Sequence, residues 1–444
     1  MFKEERMPRY LTFQKGGVHP DDMKSLSKDS PIKRIEMPSE LIVSMSQHLG
    51  APAKCLKQKG DSVKKGELIG EASSFISANI HSPVTGTVTD VRKVTLANSV
   101  CCDALVISPA PSEEDPSYDG PADYSSKTPE ELLAMVKDLG LVGMGGATFP
   151  MNVKLSVPIG KTVDFLVLNG VECEPYLTAD YRLMMEKPEN ILKGAMIIAQ
   201  IVKPKQIKIG IEANKMDAVL LMKHTVEKLG FPIEVVPLKM KYPQGDEKQL
   251  LKATTGREIP SGKLPLDIGS IVCNVGTVNA TYEAAAFGKP LMERIVTVSG
   301  NCIKNPGNFL APIGTKVSDL IAAAGGLSEE PDKLISGGPM MGFAFWDMDT
   351  PIAKGTSGIL ALKFNEKPAK QTHCIHCGKC VAACPIGLEP TRLYNLIDHG
   401  RYAEAMASDL MDCKECGCCA FSCPAHLPLV QAFKTGKKLG RVKK

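Results

Sequence analysis

A chain of 444 residues is too long for one ordinary domain, and at ~100–200 residues per domain it points to about two to four. Hydrophobic residues make up 43% and charged residues 23%, the balance of a water-soluble globular protein that buries several cores without disulfides. The formal charge of +4, with no basic stripe interleaved with aromatics, argues against a nucleic-acid partner, and no run approaches the ~18 apolar residues of a membrane span.

In chain order, residues 1–37 read as an N-terminal arm. Residues 1–10 are charged and carry no apolar stretch, so no secretory signal is expected, and any work at a membrane falls to its cytoplasmic face. Residues 38–108 contain Val63, Gly66 and Gly70, then Ser82, Pro83 and Gly86, and resemble a lipoyl- or biotinyl-type sandwich of short strands. Such carriers hold a modifiable lysine at a hairpin tip. Residues 72–79 contain no lysine, so a structural or docking role is expected. Residues 109–130, with Pro116, Pro121 and Pro129 among Ser, Asp and Glu, read as a linker.

Residues 131–290 alternate between periods. Helical spacing appears at 132–139, 191–201 and 218–229, and short apolar β-type runs at 163–168, 207–211 and 233–237. The pattern predicts a sheet flanked by helices. Four loops stand out within it. The first, 143–150, carries Gly143, Gly145 and Gly146; glycines let a backbone approach a phosphate, although a plain turn has the same composition. The second sets Asn169, Glu172 and Glu174 directly after a strand, where α/β sheets bind ligands. Those groups suit a flavin, a ribose or a nicotinamide amide, and equally an ordinary polar loop. The third, 242–247, is an acidic loop on Gly245, and the fourth places Asn274 after the apolar run 268–272.

Cysteines dominate the C-terminal end. Of fifteen, nine lie between Cys374 and Cys423. Cys374, Cys377, Cys380, Cys384 and Pro385 follow the pattern C-x2-C-x2-C-x3-C-P, and Cys413, Cys416, Cys419, Cys423 and Pro424 repeat it 39 residues on. In two-cluster ferredoxins of this pattern the fourth cysteine ligates the other cluster. The expected cages are therefore Cys374, Cys377, Cys380 and Cys423 around one [4Fe–4S] cluster, and Cys413, Cys416, Cys419 and Cys384 around the other. A zinc site needs four ligands in two pairs and would leave the remaining cysteines and the prolines unexplained. Cys418 fits neither set and reads as a spare buried thiol. Leu393, Leu396, Ile397 and Met406 give residues 391–409 a helix-like spacing that would separate the two halves. The basic tail, with Lys434, Lys437, Lys438, Arg441, Lys443 and Lys444, reads as a solvated end or as a contact for an acidic partner or an anionic membrane.

Taken in order, the four middle loops resemble the FMN and NADH site of the NADH-binding subunit of respiratory complex I. Lys15, Gly16, Gly17, Val18, His19 and Pro20 and the 81–88 segment resemble the start of the RnfC subunit of the Rnf electron-transport complexes. The stretch containing Val296, Gly300, Asn305, Gly307, Pro312 and Gly314 resembles the small β-grasp domain named for soluble-ligand binding. The resemblance implies a multi-domain α/β and α+β chain: arm 1–37, barrel sandwich 38–108, linker 109–130, FMN/NADH domain 131–290, β-grasp 291–362, two-cluster ferredoxin-like domain 363–430 and basic tail 431–444. It implies that Gly143, Gly145 and Gly146 approach FMN and nucleotide phosphate and that Lys154, Asn169, Gly245 and Asn274 contact FMN. It places Glu172 and Glu174 near flavin and nicotinamide, and Glu247 near the nucleotide. Val171 and Gly276 depart from the complex I pattern and offer fewer polar contacts.

The activity implied is electron transfer between NADH and ferredoxin through FMN and two [4Fe–4S] clusters, coupled to Na+ or H+ movement by other membrane and peripheral subunits of an Rnf-type complex. No acid–base catalytic residue is expected, since hydride transfer needs none. A microcompartment cobalamin reductase shares the module order, and a scaffold with a decayed nucleotide site is the reading from a different class.

Overall fold

The computed structural model describes residues 10–120, 124–364 and 369–442. Pro121 of the expected linker, residues 1–9 of the arm and Lys443 and Lys444 of the tail lie outside these.

The barrel sandwich is two antiparallel sheets. Leu41–Ser44, Cys101–Pro109, Gly86–Thr95 and Ser62–Val63 form one, and Lys54–Cys55, Leu68–Glu71 and Ile80–His81 the other. Side chains alternate across a strand, so Gly86 and Val88 face in while Thr87 and Thr89 face out. Leu41, Val43, Ile69, Ile80, Leu105 and Ile107 close the core.

The central domain is a four-stranded parallel sheet in the order Ile233–Leu238, Gln206–Glu212, Phe165–Asn169, Ser270–Asn274. The strand that comes first in the chain lies inside the sheet, with later strands added on both sides. Strand order therefore reverses between Phe165–Asn169 and Ser270–Asn274, and at such a point the connections diverge and leave a crevice beyond the carboxyl ends. Helix Pro129–Asp138 starts on a capping box, Thr128 with Glu131. Helices Pro188–Val202 and Val275–Phe287 pack backbone to backbone because Gly194 has no side chain: a Cβ there would lie 2.1 Å from the Val278 carbonyl oxygen.

The β-grasp unit is a six-stranded sheet, and its edge strand is not local. Ile32–Arg34 of the N-terminal arm pairs in parallel with Asn308, Phe309 and Leu310. The arm also bridges Leu11 to Leu238 at the edge of the central sheet and Val18 to Tyr242. Its backbone donors and acceptors are satisfied by three other parts of the chain, so it is a strap rather than a free extension.

The cysteine-rich end is helical, around Leu393, Ile397, Ala405, Leu410, Leu429 and Phe433. Residues 391–409 are not one helix. Pro390–Asp398 ends at Gly400, whose φ of 70° sets a left-handed cap with Arg401 N–H on Leu396 O and Gly400 N–H on Ile397 O; Tyr402–Ala407 then starts afresh. Most of the tail is also ordered: Leu429–Val442 is a helix whose Phe433 is buried and whose Lys437 ammonium donates to Cys413 O at 2.6 Å and to Glu415 at 2.6 Å. Among the described residues no helix is long and apolar enough to cross a membrane.

Candidate flavin crevice and thiol cages

Asn169 and Asn274 end neighbouring parallel strands in register, so both amides stand at the mouth of the crevice. Each is fixed by its own loop. Asn169 donates to Gly245 O at 2.9 Å and accepts from Val171 N at 3.2 Å. Asn274 caps the helix that follows, accepting from Gly276 N at 2.8 Å, and donates to Asp180 at 2.6 Å. Burial first, and the Glu172 carboxylate second, push Asp180 above its ordinary value.

The glycine-rich loop packs against Asn274. Gly143 N donates to Phe149 O, Met144 N donates to the Thr277 hydroxyl at 2.8 Å, and the Arg294 guanidinium donates to Met144 O at 2.7 Å. A Cβ on Gly145 would lie 2.7 Å from the Asn274 side chain, so only glycine fits there. A Cβ on Gly146 would meet nothing within 4 Å, which leaves that backbone face open to a ligand.

Lys154 sits beside the crevice, donating to Val272 O at 2.6 Å and to Glu247 at 3.1 Å. Burial is the largest single influence and works against its charge, but the attraction and hydrogen bond of the Glu247 carboxylate, together with Cys273, hold the ammonium above its ordinary value. Asp246 is the N-cap of helix Glu247–Thr255. The third loop, expected as an acidic loop on Gly245, thus contributes one carboxylate as a cap and one as a partner for Lys154. A crevice at the strand switch, a glycine face without side chains, two fixed amides and one half-buried cation form a donor set that suits a flavin mononucleotide.

Glu172 and Glu174 have other tasks. The Glu172 carboxylate accepts from Asp180 N at 2.8 Å and Tyr181 N at 3.2 Å, capping helix Ala179–Glu186. The Glu174 carboxylate accepts from Met340 N at 3.0 Å and Met341 N at 2.9 Å in the β-grasp unit and lies 3.4 Å from the Tyr242 hydroxyl. Burial pushes Glu174 up to about 7 in spite of those donors.

Two further residues carry this loop without any local signal in the sequence. Buried Lys24 donates to Glu174 O and Leu177 O, and buried Lys215 donates to Val171 O. Arg294 is a third, tying the glycine-rich loop to Thr356 O of the β-grasp unit. Each comes from a segment distant in the chain, where periodicity and motif spacing say nothing. Val171, one of the two departures from the complex I pattern, is fully buried in the core under the loop, and Gly276 presents its N–H to Asn274.

The thiols gather in two sets. Cys374, Cys377, Cys380 and Cys423 line one cavity, and Cys384, Cys413, Cys416 and Cys419 line another. The first cavity takes three cysteines from one half of the repeat and Cys423 from the other; the second takes Cys384 from the first half and Cys413, Cys416, Cys418 and Cys419 from the second. Cys418 is fully buried and also lines the second cavity, its Sγ 3.9 Å from Tyr242 O. The first cavity is the more exposed: Cys377 is exposed and its neighbour Ile375 is 66% exposed.

Four protein families account for most of the chain. Residues 11–111 match the RnfC barrel sandwich hybrid domain, 136–283 the Nuo51 FMN-binding domain, 295–344 the SLBB domain and 373–427 the 4Fe–4S dicluster domain. The RnfC subunit of the proton-translocating ferredoxin:NAD(+) oxidoreductase complex of Clostridium ljungdahlii is 45% identical over 393 residues, covering 88% of this chain and 86% of the relative. Its counterpart in the Na(+)-translocating complex of Acetobacterium woodii is 41% identical, covering 96% of each chain, and that in the ion-translocating oxidoreductase complex of Rhodobacter capsulatus is 42% identical, covering 95% and 82%. A crystal structure of an NAD+-reducing [NiFe]-hydrogenase in the air-oxidized state is 17% identical with a TM-score of 0.51, covering 71% of this chain and 64% of that one, and shares the fold. With these relatives matched over most of both lengths, the chain belongs to the RnfC family of the Rnf-type ion-translocating oxidoreductase complexes, whose members are electron-transfer subunits of membrane complexes.

Proposed function

We propose that this chain exchanges electrons between NADH and ferredoxin as the NADH-side subunit of its complex, working peripherally on the cytoplasmic face while partner subunits move Na+ or H+. The observation that supports the reading is that one chain combines a crevice at the strand switch with two cysteine-lined cavities built from both halves of the repeat. The named relatives are all complex subunits, which favours this over a microcompartment cobalamin reductase.

Bound FMN supplies the conversion between the two-electron hydride of NADH and the one-electron traffic of the clusters. The chain's own part is positioning and charge. Gly143, Gly145 and Gly146 take the phosphate-bearing ligand close to the backbone; Lys154, held charged by Glu247, supplies the cation; Asn169 and Asn274 orient the ring edge, with Gly245 fixed against Asn169. Glu172 and Glu174 shape the loop at the nicotinamide side through the backbone groups they hold. In the ligand sets proposed for the clusters, Cys374, Cys377, Cys380 and Cys423 hold one and Cys413, Cys416, Cys419 and Cys384 the other. The direction of flow depends on cluster potentials, which span about −700 to +450 mV with surroundings.

The test is anaerobic addition of NADH to the loaded protein, followed by absorbance and EPR. Bleaching of the flavin band with appearance of reduced-cluster signals is expected. Reduction of the clusters by dithionite but not by NADH, with FMN bound, would overturn the NADH assignment.

A further inference from the structure

Tyr242 belongs to the loop that reaches the flavin crevice, yet its side chain ends in the cluster-bearing domain. It is 2% exposed. Its hydroxyl donates to the backbone oxygen of Cys416 at 2.8 Å, with Glu174 of the second flavin loop 3.4 Å away as the other acceptor. Its backbone oxygen receives the Val18 N–H at 2.9 Å and faces the Cys418 thiol at 3.9 Å. Three residues on, Gly245 O is the acceptor for Asn169, and Gly245 N donates to the Cys173 sulfur at 3.4 Å. A single short loop therefore touches the flavin-side amide at one end and a cluster-cage backbone at the other.

The neighbouring joins all fall on the same cage. Gly17 N donates to Ala383 O, and a Cβ on Gly16 would lie 2.4 Å from Cys384 O, so the arm is pressed against the Cys384 crossover. Lys248, in the first turn of the helix after the loop, pairs with Asp412 at 4.0 Å. A side chain at Gly417 would meet Met340 O at 3.1 Å. The other cage has Thr391 against Cys380, 3.0 Å between oxygen and sulfur, and opens toward solvent at Cys377 and Ile375.

We propose that Tyr242 is a positioning residue for electron transfer: it holds the flavin loop against the cage of Cys384, Cys413, Cys416 and Cys419, and its hydroxyl stabilises the reduced cluster there through the Cys416 peptide. This rests on the function proposed above. In the step concerned the reduced flavin loses one electron, the cluster core passes from 2+ to 1+, and a proton released by the flavin goes to solvent; NADH is the reductant that recharges the flavin. The peptide dipole matters because a donor on Cys416 O draws negative charge away from the thiolate ligand and favours the more negative, reduced core.

The test compares the full chain, loaded with FMN and clusters, as parent, Tyr242→Phe and Thr391→Val. Dithionite titration followed by EPR is expected to show one cluster signal at a lower midpoint potential in Tyr242→Phe and the other signal shifted in Thr391→Val. Rapid mixing with NADH is expected to show unchanged flavin bleaching in Tyr242→Phe and cluster reduction slowed roughly fivefold, the factor corresponding to about 1 kcal/mol. Parental potentials for both clusters, together with parental cluster reduction, overturn the proposal; so does a shift of the same signal in both variants. If Tyr242→Phe loses iron, Glu174→Gln decides instead, and an unchanged potential for both clusters there overturns it. Because the titration does not use NADH, a flavin that NADH fails to bleach sinks the proposed function while the titration still decides the role of Tyr242.

Discussion

Asn169 and Asn274 are partners across two adjacent parallel strands, at the place in the central sheet where strand order reverses. Neither amide is free to turn, because Asn169 is held by Gly245 and Val171 and Asn274 by Gly276 and Asp180. Replacing either by alanine removes a fixed donor and frees a loop. Asn169→Ala and Asn274→Ala are expected to weaken FMN retention about tenfold or more, the effect of losing one or two hydrogen bonds in a preorganised site, with both clusters intact. The flavin-to-protein ratio after dialysis, alongside iron content, measures this; full flavin occupancy in both variants would remove the asparagines from the site.

The two central glycines of the 143–150 loop make opposite predictions for stability. Gly145→Ala puts a methyl 2.7 Å from Asn274 and forces the loop or the amide to move, at a cost of about 1–3 kcal/mol. Gly146→Ala meets open space and is expected to leave the apoprotein within about 0.5 kcal/mol of the parent while still lowering flavin affinity. Thermal melting of the flavin-free proteins separates the two, and equal melting temperatures would show that the Gly145 approach is not tight.

The thiol cages predict which cysteines fail together. Cys384→Ala is expected to abolish the same EPR signal as Cys413→Ala or Cys416→Ala, although Cys384 lies in the other half of the repeat, and Cys423→Ala to abolish the signal shared with Cys374. Cys418→Ser is expected to keep both clusters. Loss of a cluster in Cys418→Ser, with Cys419→Ser tolerated, would reassign the ligand.

Glu174 gives the chain a pH dependence of defined sign. Its ordinary value is 4.5 and burial pushes it up to about 7, so between these the native state binds more protons than the unfolded chain. Stability from this group therefore falls as pH rises from about 4.5 to about 7, by up to about 3 kcal/mol. Glu174→Gln keeps the shape without the charge. The melting temperature of the variant relative to the parent is expected to climb across that window, and a constant difference from pH 5 to pH 8 would contradict the assignment.

Much of this protein is written in local patterns. Helix Pro188–Val202 and strands Phe165–Asn169 and Gln206–Glu212 follow from apolar spacing because each buries a face set by its own periodicity. The cysteine repeat names all four thiols of the first cavity and four of the five that line the second, crossover included, because its spacing keeps each set of thiols on one short loop. The break at Gly400 was also present in the sequence as a glycine inside a helical pattern; its left-handed φ ended what spacing alone continued.

What only the tertiary structure decided are the joins. The arm residues Ile32–Arg34 have no periodicity that names Asn308, Phe309 and Leu310 as partners, since an edge strand pairs through backbone groups that every residue carries. Glu172 and Glu174 are carboxylates in a loop by sequence; that one caps a helix and the other binds Met340 and Met341 depends on which N–H groups the fold brings beside them. Lys24, Lys215 and Arg294 reach carbonyls far away in the chain, where burial makes each hydrogen bond matter most and where sequence distance carries no information. The chain's own residues determined its cofactor chemistry, and the packing of the central, β-grasp and cysteine-rich modules on one strap determined how the two kinds of site meet.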